Sequence, residues 1–171
     1  MSQADSTIIL SDNFTTDRKG THVTLSNDNK TAKLTGLYAE AGWGSVRGET
    51  EMKSGSIYQV DFKIDTFVTG GLIRIGAVEY SKSQGGTISI GWIYDLSTAR
   101  KKNPNTSWTS YGQTFQAGDI ITVVLDLIEY NISYLKNGED LGVAFSNIGQ
   151  NRTWALLLNI DQKAGTQLTI L

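Results

Sequence analysis

Cysteine is absent from this chain and histidine occurs once, at His22, and these two scarcities remove whole classes of chemistry. Without thiols there is no disulfide scaffold, no thiolate nucleophile and no cysteine-bound zinc, and the composition leans toward a reducing compartment. A serine, histidine and carboxylate triad would have to use His22, which stands beside a predicted strand with no suggestively spaced partner and reads as a surface imidazole. Proline also occurs once, at Pro104. No stretch approaches the roughly 20 apolar residues that cross a bilayer. The N-terminal MSQADSTIIL has no cationic segment leading into a long apolar one. The expectation is an intracellular, cytoplasmic protein without a membrane partner. Neither GxGxxG nor GxxxxGK[ST] is present, so a nucleotide lacks its usual backbone cradle and no cofactor is expected. A formal net charge of −2 argues against a phosphate-dominated partner, so nucleic acid is not expected either.

What the chain does contain is strand pattern. From Ile120 to Leu127 the residues are β-branched or long apolar almost without a break, bounded by Gly118 and by Tyr130-Asn131, which reads as a buried strand. A second strand at 131–135 runs into Asn137-Gly138, a pair that accepts positive φ at both centres of a tight hairpin, so a third strand follows near 140–145. Upstream, 23–26 and 31–35 flank the polar 27–30 as another hairpin. From Ile57 onward Tyr58, Val60, Phe62 and Ile64 alternate with polar positions and form the inward side of a strand. Further strands are expected at 72–78, 88–94, 154–160 and 166–171, whereas 97–110, with Arg100-Lys101-Lys102 and Pro104, reads as a long exposed loop. Trp92 and Trp154 sit in apolar runs and are assigned to the core, and Trp43 between two glycines is a loop candidate. No segment keeps a helical period, and turn signals recur at the spacing of a sandwich or barrel. The length of 171 residues suits one domain spanning 1–171, with 1–7 expected as a flexible N-terminus.

Two constellations invite a chemical reading. Glu49 and Glu51 would share one face of a strand, as carboxylates do in some jelly-roll glycosidases, but Lys53 occupies the next alternate position where a third acid belongs. Arg100-Lys101-Lys102 near Trp108 and Tyr111 mixes cations with stacking aromatics, yet a single run of three charges reads first as a solvated loop. Asn-x-Ser/Thr triplets at Asn13, Asn29, Asn105, Asn131 and Asn151 are what a chain rich in these residues generates by chance.

The segments GDIITVVLDL and ISYLKNGEDLGVAF resemble the C-terminal signature of the SPRY domain family. SVRGETEMKSG, IRIGAVE, GWIYDL and YGQTF are similar to elements that precede it, so the resemblance covers nearly the whole chain. It implies an all-β, two-sheet antiparallel jelly-roll sandwich of concanavalin A type. It also implies a non-catalytic, monomeric module that recognises a protein or peptide segment through loops on one face, as the recognition part of a ubiquitin ligase or a scaffold. A glycan-binding, lectin-like domain on the same sandwich is the alternative. By the same resemblance Arg47 falls on an arginine that contacts peptide in some SOCS-box relatives. The 80–86 loop, offering Tyr80, Lys82, Gln84 and Gly85, matches a ligand-contacting loop. Asp161-Gln162-Lys163 stands where another such loop frequently has Trp-Gly, which places Asp161 and Lys163 in the expected surface. Arg47, 80–86 and 161–163 are expected to form one contiguous patch, with Lys101 remote from it.

Overall fold

In the computed structural model, residues 7–9, 11–36, 44–82 and 90–171 are described. Their strands are β1 (Thr7–Ile9), β2 (Phe14–Lys19), β3 (Val23–Ser26), β4 (Thr31–Leu34), β5 (Ser45–Gly48), β6 (Ile57–Thr66), β7 (Leu72–Glu79) and β8 (Trp92–Asp95). They continue as β9 (Arg100–Lys102), β10 (Thr109–Ser110), β11 (Ile120–Asp126), β12 (Asn131–Lys136), β13 (Glu139–Phe145), β14 (Trp154–Asp161) and β15 (Gln167–Ile170). Tyr80–Lys82 form a short 3-10 turn. One sheet runs β13-β12-β11-β6-β15-β4-β3 and the other β10-β9-β8-β7-β14-β5-β2. The pairing is antiparallel except that β1 joins β6 in parallel. This is the expected all-β sandwich, and its first strand opens at Thr7.

The inward sides follow the alternation read from the sequence. Tyr58, Val60, Phe62 and Ile64 from β6 meet Ile73, Ile75 and Ala77 from β7 and Trp154, Leu156, Leu158 and Ile160 from β14 in one core. Such side chains each contribute roughly 1.5–3 kcal/mol on burial, so this interdigitated layer is the main source of stability. Trp154 is fully buried and meets Trp92 edge to face at 4.9 Å, with Trp92 only partly buried at the core's margin.

The segment expected as a long loop at 97–110 is two short strands, β9 and β10. Its charges alternate across the sheet. Lys101 is half-buried, with Nζ donating to the Ala144 carbonyl and lying 5.3 Å from the Tyr111 ring and 5.5 Å from the Phe145 ring. It therefore ties the edge of one sheet to β13 of the other, and the reading of Lys101 as a remote solvated cation is corrected.

The β12–β13 hairpin closes on Asn137 (φ 50°) and Gly138 (φ 83°), the conformation the Asn-Gly pair predicts. Asn137 does more than turn the chain. Its Oδ1 accepts from the Ile120 N–H at 2.8 Å and its Nδ2 donates to Asp119 Oδ1 at 2.8 Å, which fastens the turn to the start of β11. Burial alone would raise the Asp119 carboxyl, but donation from Asn137 and from the Gln116 N–H, with the Lys136 charge 3.5 Å away, holds it below its usual value.

Two outcomes follow. Gly138→Val should destabilise the fold by more than about 1 kcal/mol, because a β-branched residue is strained at positive φ, and an unchanged urea midpoint would contradict the turn geometry. A depressed carboxyl adds stability that is present above its unfolded pKa and lost as pH falls through the folded one. The stability difference between wild type and Asp119→Asn should therefore be constant near neutrality and shrink below about pH 4. A difference independent of pH would remove Asp119 from the ionised contacts described.

Candidate functional site

Strand β14 is apolar at nearly every position, and its sheet is covered on both sides. Even-numbered residues enter the core between the sheets. Ala155 and Leu157 point the other way and join Val78 and Ile93 in a separate cluster on the outer face, against which Tyr80, Ile90 and Trp108 pack. The outer face is thus capped by aromatic and aliphatic side chains from loops. Sequence reasoning missed this cluster, although the unbroken WALLLNI run was its signal.

Beside the apolar cluster runs a polar row in register across four strands: Ser45, Asn159, Arg74 and Asp95. Asn159 Nδ2 donates to Ser45 Oγ at 3.0 Å, Arg74 Nη1 to Asn159 Oδ1 at 3.4 Å, and Arg74 Nε to Asp95 Oδ2 at 3.2 Å. The Arg74 side chain is 15% exposed and that of Asp95 5%, so the ion pair is buried and removal of one partner leaves the other uncompensated. The Arg74 guanidinium also lies 5.5 Å from the Trp108 ring. Two residues beyond Arg74 on β7, Gly76 faces Ile93 where a Cβ would stand 1.8 Å from the Trp92 carbonyl oxygen, so only glycine allows β7 and β8 to approach here.

Arg47 lies opposite Leu157 on β5 and is 7% exposed. Its guanidinium sits 4.1 Å from the centre of the Tyr80 ring, and Nη1 donates to the Tyr80 carbonyl at 3.2 Å. The structure therefore brings Arg47 and Tyr80 together, as an underlying support and the ring it carries. A buried, stacked arginine here holds structure as well as charge.

Lys82 lies on the same end of the sheet, 3.2 Å from Glu79, which Arg152 also approaches at 3.4 Å and Ser81 Oγ at 3.0 Å. Burial pushes the Glu79 carboxyl up, but these donors and the two cations outweigh it and hold it below its usual range. Gln84 and Gly85 lie outside the described residues, as does Trp43. Asp161 and Lys163 are not brought to Tyr80. Trp154 pairs with Glu79 at one end of β14 and Asp161 with Leu72 at the other, a separation of roughly 23 Å at about 3.3 Å per residue. Lys163 instead lies against Gly70 and Gly71, next to a cavity of about 440 Å³ walled by Phe67, Val68, Leu72 and Phe115. One contiguous patch holding all three segments is not what the topology builds.

The acid pair read from the sequence is also redistributed. Strand β5 ends at Gly48, so Glu49 and Glu51 follow the strand instead of sharing its face; both are exposed, and Glu51 sits 3.9 Å from Lys53.

The stacked pair makes a direct test. Arg47→Ala should lower stability by roughly 1–3 kcal/mol, and combined with Tyr80→Ala it should show a coupling of about 1 kcal/mol in urea unfolding. Strict additivity of the two single changes would show that the ring and the guanidinium do not depend on each other.

Comparison with known proteins agrees with this architecture. The SPRY domain model matches residues 57–156. The ATP-dependent RNA helicase Ddx1 of Drosophila melanogaster is 35% identical over 81 residues, which covers 47% of this chain but 11% of that protein, so the chain spans only a small part of its curated relative. The crystal structure of the SPRY domain of human HERC1 superposes with a TM-score of 0.68 at 24% identity, covering 92% of this chain and 96% of that one. The TRIM65 PSpry domain gives 0.68 at 12% identity over 95% and 90%. With its family signature lying across both sheets of the sandwich, the chain belongs to the SPRY domain family.

Proposed function

We propose that this chain is a non-catalytic interaction module that holds an extended peptide or protein segment on the outer face of the sheet containing β14. SPRY domains are generally protein-protein interaction modules, and the finer reading rests on one observation. An apolar cluster outside the core is lidded by Tyr80, Ile90 and Trp108, all of them only partly buried. Apolar and aromatic groups left partly wet on a rigid sheet are the composition of an interface centre, where a few anchors dominate affinity. Their ordering cost is low. Tyr80 is held from beneath by Arg47, so a partner gains contact without first immobilising the ring.

In this reading Tyr80 and Lys82 touch the partner and Arg47 is a positioning residue. Gln84 and Gly85, outside the described residues, are assigned to the partner surface by the SPRY resemblance alone. Asp161 and Lys163 take part only with a segment that runs the length of β14, about seven extended residues. Service as the recognition part of a ubiquitin ligase or scaffold is what the SPRY resemblance implies for the longer proteins in which such modules sit. The monomeric, cytoplasmic setting and the lack of a nucleic-acid partner belong to the same reading.

Peptide display on the isolated chain tests it. Tyr80→Ala and Trp108→Ala should each weaken a selected ligand by roughly 1–3 kcal/mol, while Lys163→Ala should matter only for the longest ligands. Ligands that bind both aromatic variants at wild-type strength would overturn the assignment. Retention on a glycan array that needs calcium, without peptide binding, would favour the lectin alternative.

A further inference from the structure

Resting on that reading of the face, we propose that its partner is an acidic segment bearing one apolar side chain, recognised where β7, β8 and β9 end beside Glu79. A cavity of about 260 Å³ opens there, walled by Ile90, Trp92 and Pro104 and rimmed by Lys82, Glu79 and Arg152. The walls offer an aliphatic, an aromatic and a pyrrolidine surface, which suit one buried apolar side chain. The rim is cationic. Lys82 and Arg152 share the single carboxylate of Glu79, so their combined charge is only half offset.

Strand β9 adds to this excess. Lys102 pairs with Ile93 and Arg100 with Asp95, which puts both on the outer side with the apolar cluster. Among the described residues neither forms an ion pair, and Asp95 is already engaged by Arg74. Lys102 stands two strand spacings, about 10 Å, from Gly76 of β7, and Pro104 and Asn105 continue its segment into the wall of the cavity. A chain of formal charge −2 thus places two unpaired cations on β9 beside a cavity rim that is itself cationic. Charge complementarity of this kind selects a partner with carboxylates spaced around an apolar anchor.

A peptide fits better than a nucleic-acid strand. Glu79 stands in the middle of the cationic rim, where a continuous line of phosphates would meet it. One face of the Tyr80 ring and one of the Trp108 ring are already occupied, by Arg47 at 4.1 Å and Arg74 at 5.5 Å, which takes surface on which bases would stack.

The test is a selection of random displayed peptides, long enough to lie along β14, on the intact chain at low salt. Recovered sequences should be enriched in Asp and Glu flanking an aliphatic or aromatic residue. A labelled peptide made from the strongest of them should lose about tenfold in affinity with Lys102→Glu, and should recover when its facing acid is changed to Lys. Arg100→Glu, at an exposed position, serves as the second charge reversal should the first perturb folding. Replacing the peptide's apolar residue by Ser should weaken binding by a similar factor. Recovered peptides without acidic enrichment, or acidic ones that bind both reversal variants normally, would overturn this inference and leave the peptide-binding function standing. No recovered peptide, with a labelled oligouridylate bound and lost in the same variants, would overturn the function and the inference together.

Discussion

Strand β14 is the element on which the rest depends, because it is buried on two faces at once. It pairs with β7 along its whole length and with β5 at 157–159, so the sheet cannot form around a polar or shorter strand there. One set of its side chains supplies the core against β6, and the other set supplies Ala155 and Leu157 to the outer cluster. A strand with this double duty has to be continuously apolar, and the unbroken run from Trp154 to Leu158 is the consequence. The outer cluster is therefore an extension of the folding problem: the same strand that closes the sandwich leaves an apolar patch outside it.

How that patch is finished explains the placement of charge. Burying Leu157 on an interior strand leaves its polar neighbours with little water, and they satisfy one another. The row Ser45, Asn159, Arg74 and Asp95 does so by hydrogen bonds across four strands, and Arg47 does so beneath Tyr80. Arginine suits both places because its planar fork can stack on a ring and donate in the ring's plane at once, which an ammonium does not. The remaining cations at that end, Lys82, Arg100, Lys102 and Arg152, outnumber the nearby carboxylate Glu79, which engages two of them.

The local features were legible in the sequence and the remote ones were not. Asn137-Gly138 announces its hairpin because turn chemistry depends on two adjacent residues, and the alternation from Tyr58 to Ile64 announces a strand because period two is a property of the strand alone. The segment from Arg100 to Lys102 was misread as loop because three consecutive cations look solvated. In the sheet they alternate, two outward and Lys101 inward to the Ala144 carbonyl, which lies in the other sheet. The burial of Arg47 under Tyr80 was equally illegible, because the ring is brought over it only by the fold. The separation of Asp161 and Lys163 from Tyr80 follows from the antiparallel register of β7 and β14, which no local pattern encodes.

Amide and side-chain chemical-shift mapping with a selected peptide bears most directly on the account. The account predicts that the resonances displaced at saturation are those of Val78, Ile93, Ala155, Leu157, Tyr80 and Trp108, with the Trp154 and Phe62 core unmoved. Displacements centred instead on Gly70, Gly71 and Phe115, around the cavity at the far end of β14, would contradict it.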